Sequence, residues 1–258
     1  MSESPTQIAR LRSLAATARL STARLSTATI VGETAWLTDG LGRAQLHELF
    51  AIDAEEAAAA AGLAVAVTIA GKALPVLWLR TMAAERRGGR LRAGGLGELG
   101  LEARAVVLGI VADEAALLRA AADAARCPGL GTLIVEAWGP APGIDLTATR
   151  RLMLAAEASG ATVLMVRIGA EPRPSAAATR WSVAAAPSTA LDANAPGVPA
   201  FAVECLRRRG GPAGRQWRVE WDRDATCFRN APLPGADLPL VADRTPALDS
   251  PAFVRRTG

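Results

Sequence analysis

Two hydrophobic periods alternate along the middle of the chain. Short runs of nearly continuous apolar residues have the length of strands that are buried on both faces. Longer segments between them place apolar residues at helical spacing. This strand–helix–strand alternation predicts an α/β fold with a mostly parallel central sheet flanked by helices. The predicted strands are 46–50, 74–79, 106–111, 132–136 and 162–168, and the predicted helices are 54–69, 114–126 and 146–159.

Three aspartates mark the expected helix starts. Asp113 and Asp145 precede the second and third helices as N-caps, because an aspartate side chain accepts hydrogen bonds from free backbone N–H groups. Asp53, with Glu56 three residues later, forms a capping-box-like start for the first helix. Gly160 follows the third helix and is expected to end it. These signals support three crossover helices between parallel strands.

The pattern changes after residue 170. The predicted strands 180–186, 200–206 and 216–221 are joined by turns containing Pro and Gly, which leave no room for crossover helices. In the last of these strands apolar and polar residues alternate, as they do in a half-buried strand. We therefore expect an antiparallel β extension on the parallel core.

The sequence predicts three parts. Residues 1–34 combine apolar positions at helical spacing over 5–20 with a Ser- and Thr-rich stretch, which indicates an amphipathic helix and a linker. The core domain, with a degenerate nucleotide site, is expected over 35–229. Five prolines and little periodicity predict a flexible tail over 230–258. That tail either binds a partner or is a frayed terminus.

Composition excludes several kinds of chemistry. The single histidine, His47, lies in a predicted strand, and no catalytic triad can be assembled without it. No second histidine exists for a metal site. The three cysteines lack C-x-x-C spacing, which argues against disulfides and zinc and fits a reducing cytoplasm. No apolar run of about 18 residues suggests a membrane span. We expect a cytoplasmic protein with no metal and no membrane contact.

The turn after the first predicted strand lacks a phosphate grip. A P-loop surrounds the β- and γ-phosphates with glycine N–H groups and one lysine. Residues 51–57 contain no glycine, and Asp53, Glu55 and Glu56 would each repel a nearby phosphate by roughly 1 kcal/mol or more. The only lysine, Lys72, has no hydroxyl residue after it. We therefore predict a protein without a nucleotide cofactor and without catalytic activity.

The order of segments resembles the RecA-like core and, more closely, the bacterial ImuA family of damage-inducible mutagenesis proteins. Together the matching segments span about 40–222, most of the chain, and their order is more specific than any one motif. The stretches that carry the resemblance are 40–50, 96–101, 127–139, 145–152, 155–160, 174–181 and 206–211.

This resemblance implies a non-catalytic accessory of error-prone translesion DNA synthesis in the SOS response to DNA damage. ImuA-like proteins act with ImuB, an inactive homologue of Y-family polymerases, and with an error-prone C-family DNA polymerase. RecA is a further expected contact. The two loops with which RecA-like proteins hold single-stranded DNA are short here, at 139–143 and 170–174, and lack aromatic residues. We therefore expect any DNA contact to be weak or indirect.

Two further positions depart from the RecA-like ATPase pattern. Glu136 follows an apolar run at the Walker B position, where it more simply caps a strand or pairs with an arginine. Arg80 ends the second predicted strand, where RecA-like ATPases place the glutamate that activates water, and arginine cannot act as a general base. The expected degenerate nucleotide site comprises Asp53, Glu55, Glu56, Arg80 and Glu136.

Two arginine clusters are candidate contacts with nucleic acid or protein partners. Each is more simply a solvated or partner-facing surface. The first is interleaved with glycines in a predicted flexible loop, which makes it the better candidate for phosphate contact. The second lies at a strand end, where side chains alternate between faces. The clusters are Arg86, Arg87, Arg90 and Arg92, and Arg207, Arg208 and Arg209.

Three other functions remain open from the sequence. An atypical ATPase could use Lys72 or a loop arginine to hold phosphate. A RecA-related SOS cell-division inhibitor of the SulA type would also lack ATP chemistry, although that family is shorter and the extra strands after residue 180 weigh against it. The third function is nucleic-acid binding alone, which would weaken steeply with salt.

Overall fold

A single nine-stranded sheet organises the chain in a computed structural model that describes residues 35–195 and 197–231. The predicted N-terminal helix and linker, and almost all of the predicted tail, lie outside these residues. The strands are β1 Leu46–Ala51, β2 Val76–Thr81, β3 Val106–Val111, β4 Thr132–Trp138, β5 Thr162–Ile168, β6 Thr179–Ala185, β7 Ala200–Arg208, β8 Arg215–Asp222 and β9 Cys227–Asn230.

Six α-helices accompany the sheet within the described residues. The predicted caps of two of them are confirmed, because the Oδ1 atoms of Asp113 and Asp145 accept backbone N–H bonds of 2.8 and 2.7 Å. Gly160 follows the last helix in a left-handed conformation, as predicted. The helices are α1 Trp36–Asp39, α2 Ala57–Ala70, α3 Met82–Gly88, α4 Ala93–Glu98, α5 Glu114–Ala124 and α6 Leu146–Ser159.

The sheet has a parallel half and an antiparallel half. Its strand order is β3-β2-β4-β5-β1-β6-β7-β8-β9. All neighbours from β3 to β6 run parallel, and all neighbours from β6 to β9 run antiparallel. Strand β6 belongs to both halves, because it pairs in parallel with β1 and in antiparallel with β7. The predicted mostly parallel α/β sheet with an antiparallel extension is confirmed.

Helices cover both faces of the parallel half. Helix α2 contacts β1, β5 and β6 on one face, whereas α5 and α6 cover the other face over β1, β2, β4 and β5. Strands β1 and β5 are buried along their whole length. Burial on both faces explains why these strands read as nearly continuous apolar runs in the sequence.

Aromatic packing joins α1 to the antiparallel half. The ring of Trp36 lies 5.2 Å from that of Trp181, 5.7 Å from that of Trp217 and 5.3 Å from that of Phe228, measured between centroids. These tilted and edge-on contacts are the geometries that aromatic pairs prefer. The extension is therefore part of the main core.

The first crossover helix begins later than predicted. Helix α2 starts at Ala57, because the residues before it form a separate turn closed by Asp53. The Oδ1 of Asp53 accepts hydrogen bonds from the N–H groups of Glu55 (2.9 Å) and Glu56 (3.2 Å). The Glu56 carboxylate accepts a bond of 2.6 Å from the N–H of Ala185 on β6. Only the Asp53 half of the predicted capping box is present: Asp53 accepts the N–H of Glu56, whereas the Glu56 carboxylate is bonded to β6.

The predicted flexible basic loop was also wrong, because it contains α3 and α4. The Oγ1 of Thr81 caps α3 by accepting a 3.0 Å hydrogen bond from the N–H of Ala84, which is buried. Three glycines lower the helix propensity of α4. Leu96 in that helix and Leu99 after it pack against the core. Tertiary packing therefore outweighs propensity in this segment.

Strand β2 lies two residues further along the chain than predicted. Pro75, which has no N–H to donate, stands just before it, and Leu74 is exposed. At the other end Arg80 and Thr81 continue the strand, although Arg80 is a buried cation. A pattern of apolar residues could not indicate that β2 continues through Arg80 and Thr81, because both residues are polar. The pattern also missed β9, a short strand of mixed polarity.

Candidate functional site

The carboxyl ends of the parallel strands surround a cavity of about 510 Å³. Open α/β sheets bind their ligands at this edge. The cavity, here called the carboxyl-edge cavity, lies between the start of α2, the α3–α4 segment and the ends of β2 and β4. Its polar lining comprises Arg80, Arg87, Arg90, Arg92 and Glu136. The fold therefore brings part of the predicted nucleotide site together with most of the first arginine cluster.

The acidic turn at the start of α2 is bonded within the protein. In a P-loop the corresponding N–H groups point at phosphate oxygens. Here the Asp53 carboxylate accepts the N–H groups of Glu55 and Glu56, as described above. Asp53 and Glu55 are exposed, so the outer surface of the turn is anionic. A phosphate would meet a carboxylate where a P-loop offers N–H donors.

Lys72 lies at the opposite end of α2 from this turn. It follows the helix after Gly71, with a positive φ of 51°. The 14 residues of α2 separate it from the acidic turn by about 21 Å, at 1.5 Å per residue. Lys72 therefore cannot reach a phosphate held at the turn.

A buried ion pair stands at the inner wall of the carboxyl-edge cavity. Arg80 and Glu136 have relative exposures of 2% and 4%, and their Nη2 and Oε1 atoms are 2.9 Å apart. The Nε1 atoms of Trp78 (3.0 Å) and Trp138 (2.6 Å) also donate to the Glu136 carboxylate. The predicted pairing of Glu136 with an arginine is confirmed. The acid at the Walker B position is held by three donors from its own fold.

Arg80 is fixed equally firmly. Its Nη1 donates to the carbonyl of Gly89 (2.8 Å), and its Nη2 donates to the carbonyl of Ala84 (3.1 Å). These bonds attach the α3 segment to the sheet and leave Arg80 no freedom to approach a ligand. A buried charge remains tolerable only when it is paired and hydrogen-bonded, and this arginine is both.

The first arginine cluster forms the outer rim of the carboxyl-edge cavity. Arg87, Arg90 and Arg92 line it and are exposed, whereas Arg86 is exposed on α3 outside the lining. Arg90 makes a loose contact of 3.7 Å with Glu85. The rim is therefore cationic, but most of the remaining lining is apolar, with alanines from α2 and leucines from the α4 segment.

The second arginine cluster lies at the opposite edge of the sheet. Arg207 donates to the carbonyl of Ser175 (3.3 Å), and Arg209 donates to that of Ala176 (3.0 Å). Arg208 and Arg209 line a second cavity of about 440 Å³, here called the amino-edge cavity, where β1 and β6 begin. The two predicted clusters thus belong to separate sites.

A second buried charge cluster, which was not predicted from the sequence, surrounds Glu48. The Oε2 of Glu48 accepts from the Oγ of Ser175 (2.6 Å) and the Nε of Arg180 (3.0 Å). The Nη1 of Arg167 lies 4.0 Å from Glu48, and its Nη2 donates to the carbonyl of Pro140 (3.1 Å). Burial lowers the pKa of Arg167, and the nearby Glu48 opposes that shift. The sequence held one signal of this cluster, because Glu48 and Arg167 are charged residues inside the apolar strands β1 and β5.

His47 is a structural residue at the start of β1. Its ring nitrogens lie 2.7 Å from the Oγ1 of Thr179 and 2.8 Å from the carbonyl of Gly42. Burial lowers the pKa of His47 to about 4, and the bond to Gly42 opposes that shift. The imidazole is therefore neutral near pH 7, as expected for a strand histidine held in the core.

Over residues 35–195 and 197–231, no cluster of three or more His, Cys, Asp or Glu side chains could hold a metal ion. In the same part of the chain, no helix has the length and apolar character needed to cross a membrane.

Comparison with known proteins identifies the fold. No protein-family model matches the sequence, and no curated protein matches it significantly. The structure is similar to the crystal structure of the RadB recombinase, with a TM-score of 0.53 over 81% of this chain and 100% of that chain. The fold is RecA-like. The sequence identity is 13%, so this likeness concerns the fold alone.

Proposed function

We propose that this chain is a non-catalytic RecA-like accessory protein of damage-induced, error-prone translesion DNA synthesis. One observation carries the proposal: at the carboxyl edge, charged residues of the predicted nucleotide site are bonded within the protein. Asp53 binds the N–H groups of the turn, and Arg80 neutralises Glu136. A RecA-like fold whose nucleotide groups are engaged in this way acts by contact, and the ImuA-like order of segments supplies the context.

The partners we propose are an ImuB-type Y-family polymerase homologue, an error-prone C-family DNA polymerase and RecA. DNA would be contacted weakly or through these proteins. The open edge of the sheet supports a contact role. Strand β3 is an edge strand without a charged residue, and Val107, Leu108 and Ile110 expose 64%, 41% and 41% of their surface. Native proteins usually shield such edges, so this one is suited to a protein partner.

Size-exclusion chromatography tests the proposal. The purified full-length chain is mixed with the ImuB-type protein, with RecA and with the C-family polymerase, first pairwise and then together. We expect co-elution with at least the ImuB-type protein, without added nucleotide. Separate elution in every mixture would contradict the accessory role.

The cationic rim favours one second candidate, an atypical ATPase. Arg87, Arg90 and Arg92 could hold an anion at the mouth of the carboxyl-edge cavity. Phosphate release from ATP by the wild-type chain and by an Arg87→Ala, Arg90→Ala variant separates the two functions. Turnover that disappears in the variant would support an ATPase, whereas the same background in both proteins supports the accessory role.

A further inference from the structure

Aliphatic side chains form much of the wall of the carboxyl-edge cavity. Leu91, Leu96 and Leu99 line it from the α4 segment, and Val65 and Ile168 line it from α2 and β5. The three leucines are half-buried, so part of the surface of each is exposed in the described fold. The volume of about 510 Å³ lies within the range of about 300–1,000 Å³ that is typical of ligand cavities. The wall is therefore suited to an apolar group.

Gly95 leaves one side of this cavity open. It lies in α4, lines the cavity and is exposed. A Cβ atom at this position would meet no heavy atom within 4 Å, so packing within the described fold does not require a glycine here. Glycine also lowers helix propensity relative to alanine. The absence of a side chain at Gly95 therefore leaves room beside the leucines for another group.

Charge is distributed unevenly around the mouth of the cavity. The lining contains four arginines and one glutamate, and that glutamate, Glu136, is paired with Arg80. The other three arginines are exposed on the α3–α4 side. On the α2 side, Ala54 lines the cavity between Asp53 and Glu55, which are both exposed. An occupant therefore meets cations on the α3–α4 side and carboxylates on the α2 side.

We propose that the carboxyl-edge cavity binds a short acidic segment of a partner protein. An apolar side chain of that segment occupies the cavity, and its carboxylates lie at the arginine rim. The leucine wall removes the apolar side chain from water, and guanidinium groups match carboxylates in bidentate geometry. Exposed rim charges of this kind favour the correct partner and speed its association. The proposal rests on the proposed accessory function, because a partner protein supplies the segment.

Two other ligands fit the cavity less well. The phosphates of a nucleoside triphosphate would be repelled by Asp53 and Glu55 on the α2 side. Single-stranded nucleic acid needs open aromatic faces on which its bases stack. Trp78 is completely buried, and Gly88 packs so closely on Trp138 that an added Cβ would lie 2.5 Å from the Cζ2 of that ring. Neither tryptophan of the cavity therefore offers such a face.

Selection from a random dodecapeptide phage library, with the full-length chain as the target, tests the proposal. We expect the enriched peptides to combine a large apolar residue with two or more Asp or Glu residues. The affinity of one such peptide, labelled with fluorescein, is then measured by fluorescence polarisation. Gly95→Phe, which narrows the cavity, and Arg90→Glu, which reverses a charge of its rim, should each weaken binding by about tenfold or more.

Each variant has a matched control. Gly97→Phe changes another glycine of α4 that lies outside the lining and also has open space around it, so it should leave the affinity unchanged. Arg150→Glu reverses the charge of an exposed arginine on α6 and should likewise have no effect. Thermal denaturation verifies that Gly95→Phe is folded. Arg90→Glu, at a side chain that is 82% exposed, gives a result that does not depend on that variant.

Several results would overturn the proposal. They are the failure to enrich peptides, the enrichment of peptides without Asp or Glu, and equal affinity of the selected peptide for the wild type, Gly95→Phe and Arg90→Glu. A dimer in light scattering that Gly95→Phe dissociates would assign the cavity to a second copy of the chain and would also overturn it. Peptide binding as expected, without co-elution of any polymerase partner, would contradict only the accessory role. Co-elution that neither variant changes would contradict only the present proposal.

Discussion

The two edges of the parallel sheet end in cavities of similar size, about 510 and 440 Å³, and exposed arginines line the rim of each, but only the carboxyl-edge cavity has a buried ion pair in its wall. At the carboxyl edge, three donors hold Glu136 and two N–H groups hold Asp53. At the amino edge, Arg208 has no partner among the described residues. Removing one partner of a buried pair is strongly destabilising because the other charge is left buried alone, whereas an exposed arginine remains hydrated without a partner. At the carboxyl edge, Glu136 and Asp53 of the predicted nucleotide site are therefore already bonded within the protein.

The largest effect should come from breaking the pair at the carboxyl edge. Glu136→Gln leaves Arg80 buried without a counter-charge, which should lower the free energy of unfolding by about 3–5 kcal/mol. Urea denaturation measures this loss. Glu55→Gln, at an exposed position of the acidic turn, is the control and should change stability by less than about 0.5 kcal/mol. Equal stability of Glu136→Gln and wild type would show that the pair is not structural.

The amino edge should respond to pH through His47. Burial lowers its pKa from 6.5 to about 4, so the unfolded chain binds a proton between these values that the folded chain does not. The free energy of unfolding should fall as the pH decreases through this window, by up to about 3 kcal/mol, and the contribution is complete above pH 6.5. Urea denaturation at several pH values measures it. A His47→Gln variant with the wild-type slope would contradict the assignment.

The exposed edge of the sheet at β3 is a third surface, separate from the two cavities. Val107→Lys places a charge on an exposed position and should change stability by less than about 0.5 kcal/mol. If this edge receives a partner strand, the same change should weaken the complex by about tenfold or more, measured by titration calorimetry with the ImuB-type protein. Leu154→Lys, at an exposed apolar position on α6, is the control and should leave affinity unchanged.

The smallest effect is expected at the acidic turn. Asp53→Ala removes the acceptor for two N–H groups and should cost about 1 kcal/mol, as the loss of a helix cap does. It should not create affinity for ATP, since Glu55 and Glu56 remain and Lys72 is at the far end of α2. Thermal denaturation gives the first value, and a shift of the melting curve with ATP tests the second. ATP-dependent stabilisation of this variant would contradict our reading of the turn.

The sequence predicted those features that local patterns determine. Strands β3 and β5 and helix α6 were predicted with the observed bounds, because their apolar runs and the Asp145 cap are local signals. The continuation of β2 through Arg80 depends on Glu136, 56 residues away, and no local pattern contains that partner. Helix α4 was not predicted, because its three glycines lower its helix propensity. The Glu48 cluster likewise depends on side chains far apart in sequence.

The residues of the candidate site were predicted from the sequence, but their arrangement in space was not. Asp53, Arg80 and Glu136 were identified one by one, from their positions after predicted strands. The α3–α4 segment was expected to be a loop. Its helical fold places Arg87, Arg90 and Arg92 around the same cavity as the Arg80–Glu136 pair. The amino-edge cavity joins residues from six elements, so it could not be deduced without the strand order.

Isothermal titration calorimetry of the wild-type, full-length chain with magnesium and ATP tests the central claim most directly. We expect no saturable heat at millimolar ATP, and the same flat trace for Lys72→Ala, because the turn's donors and the Walker B acid are already bonded within the protein. Saturable binding with a micromolar Kd would contradict the account.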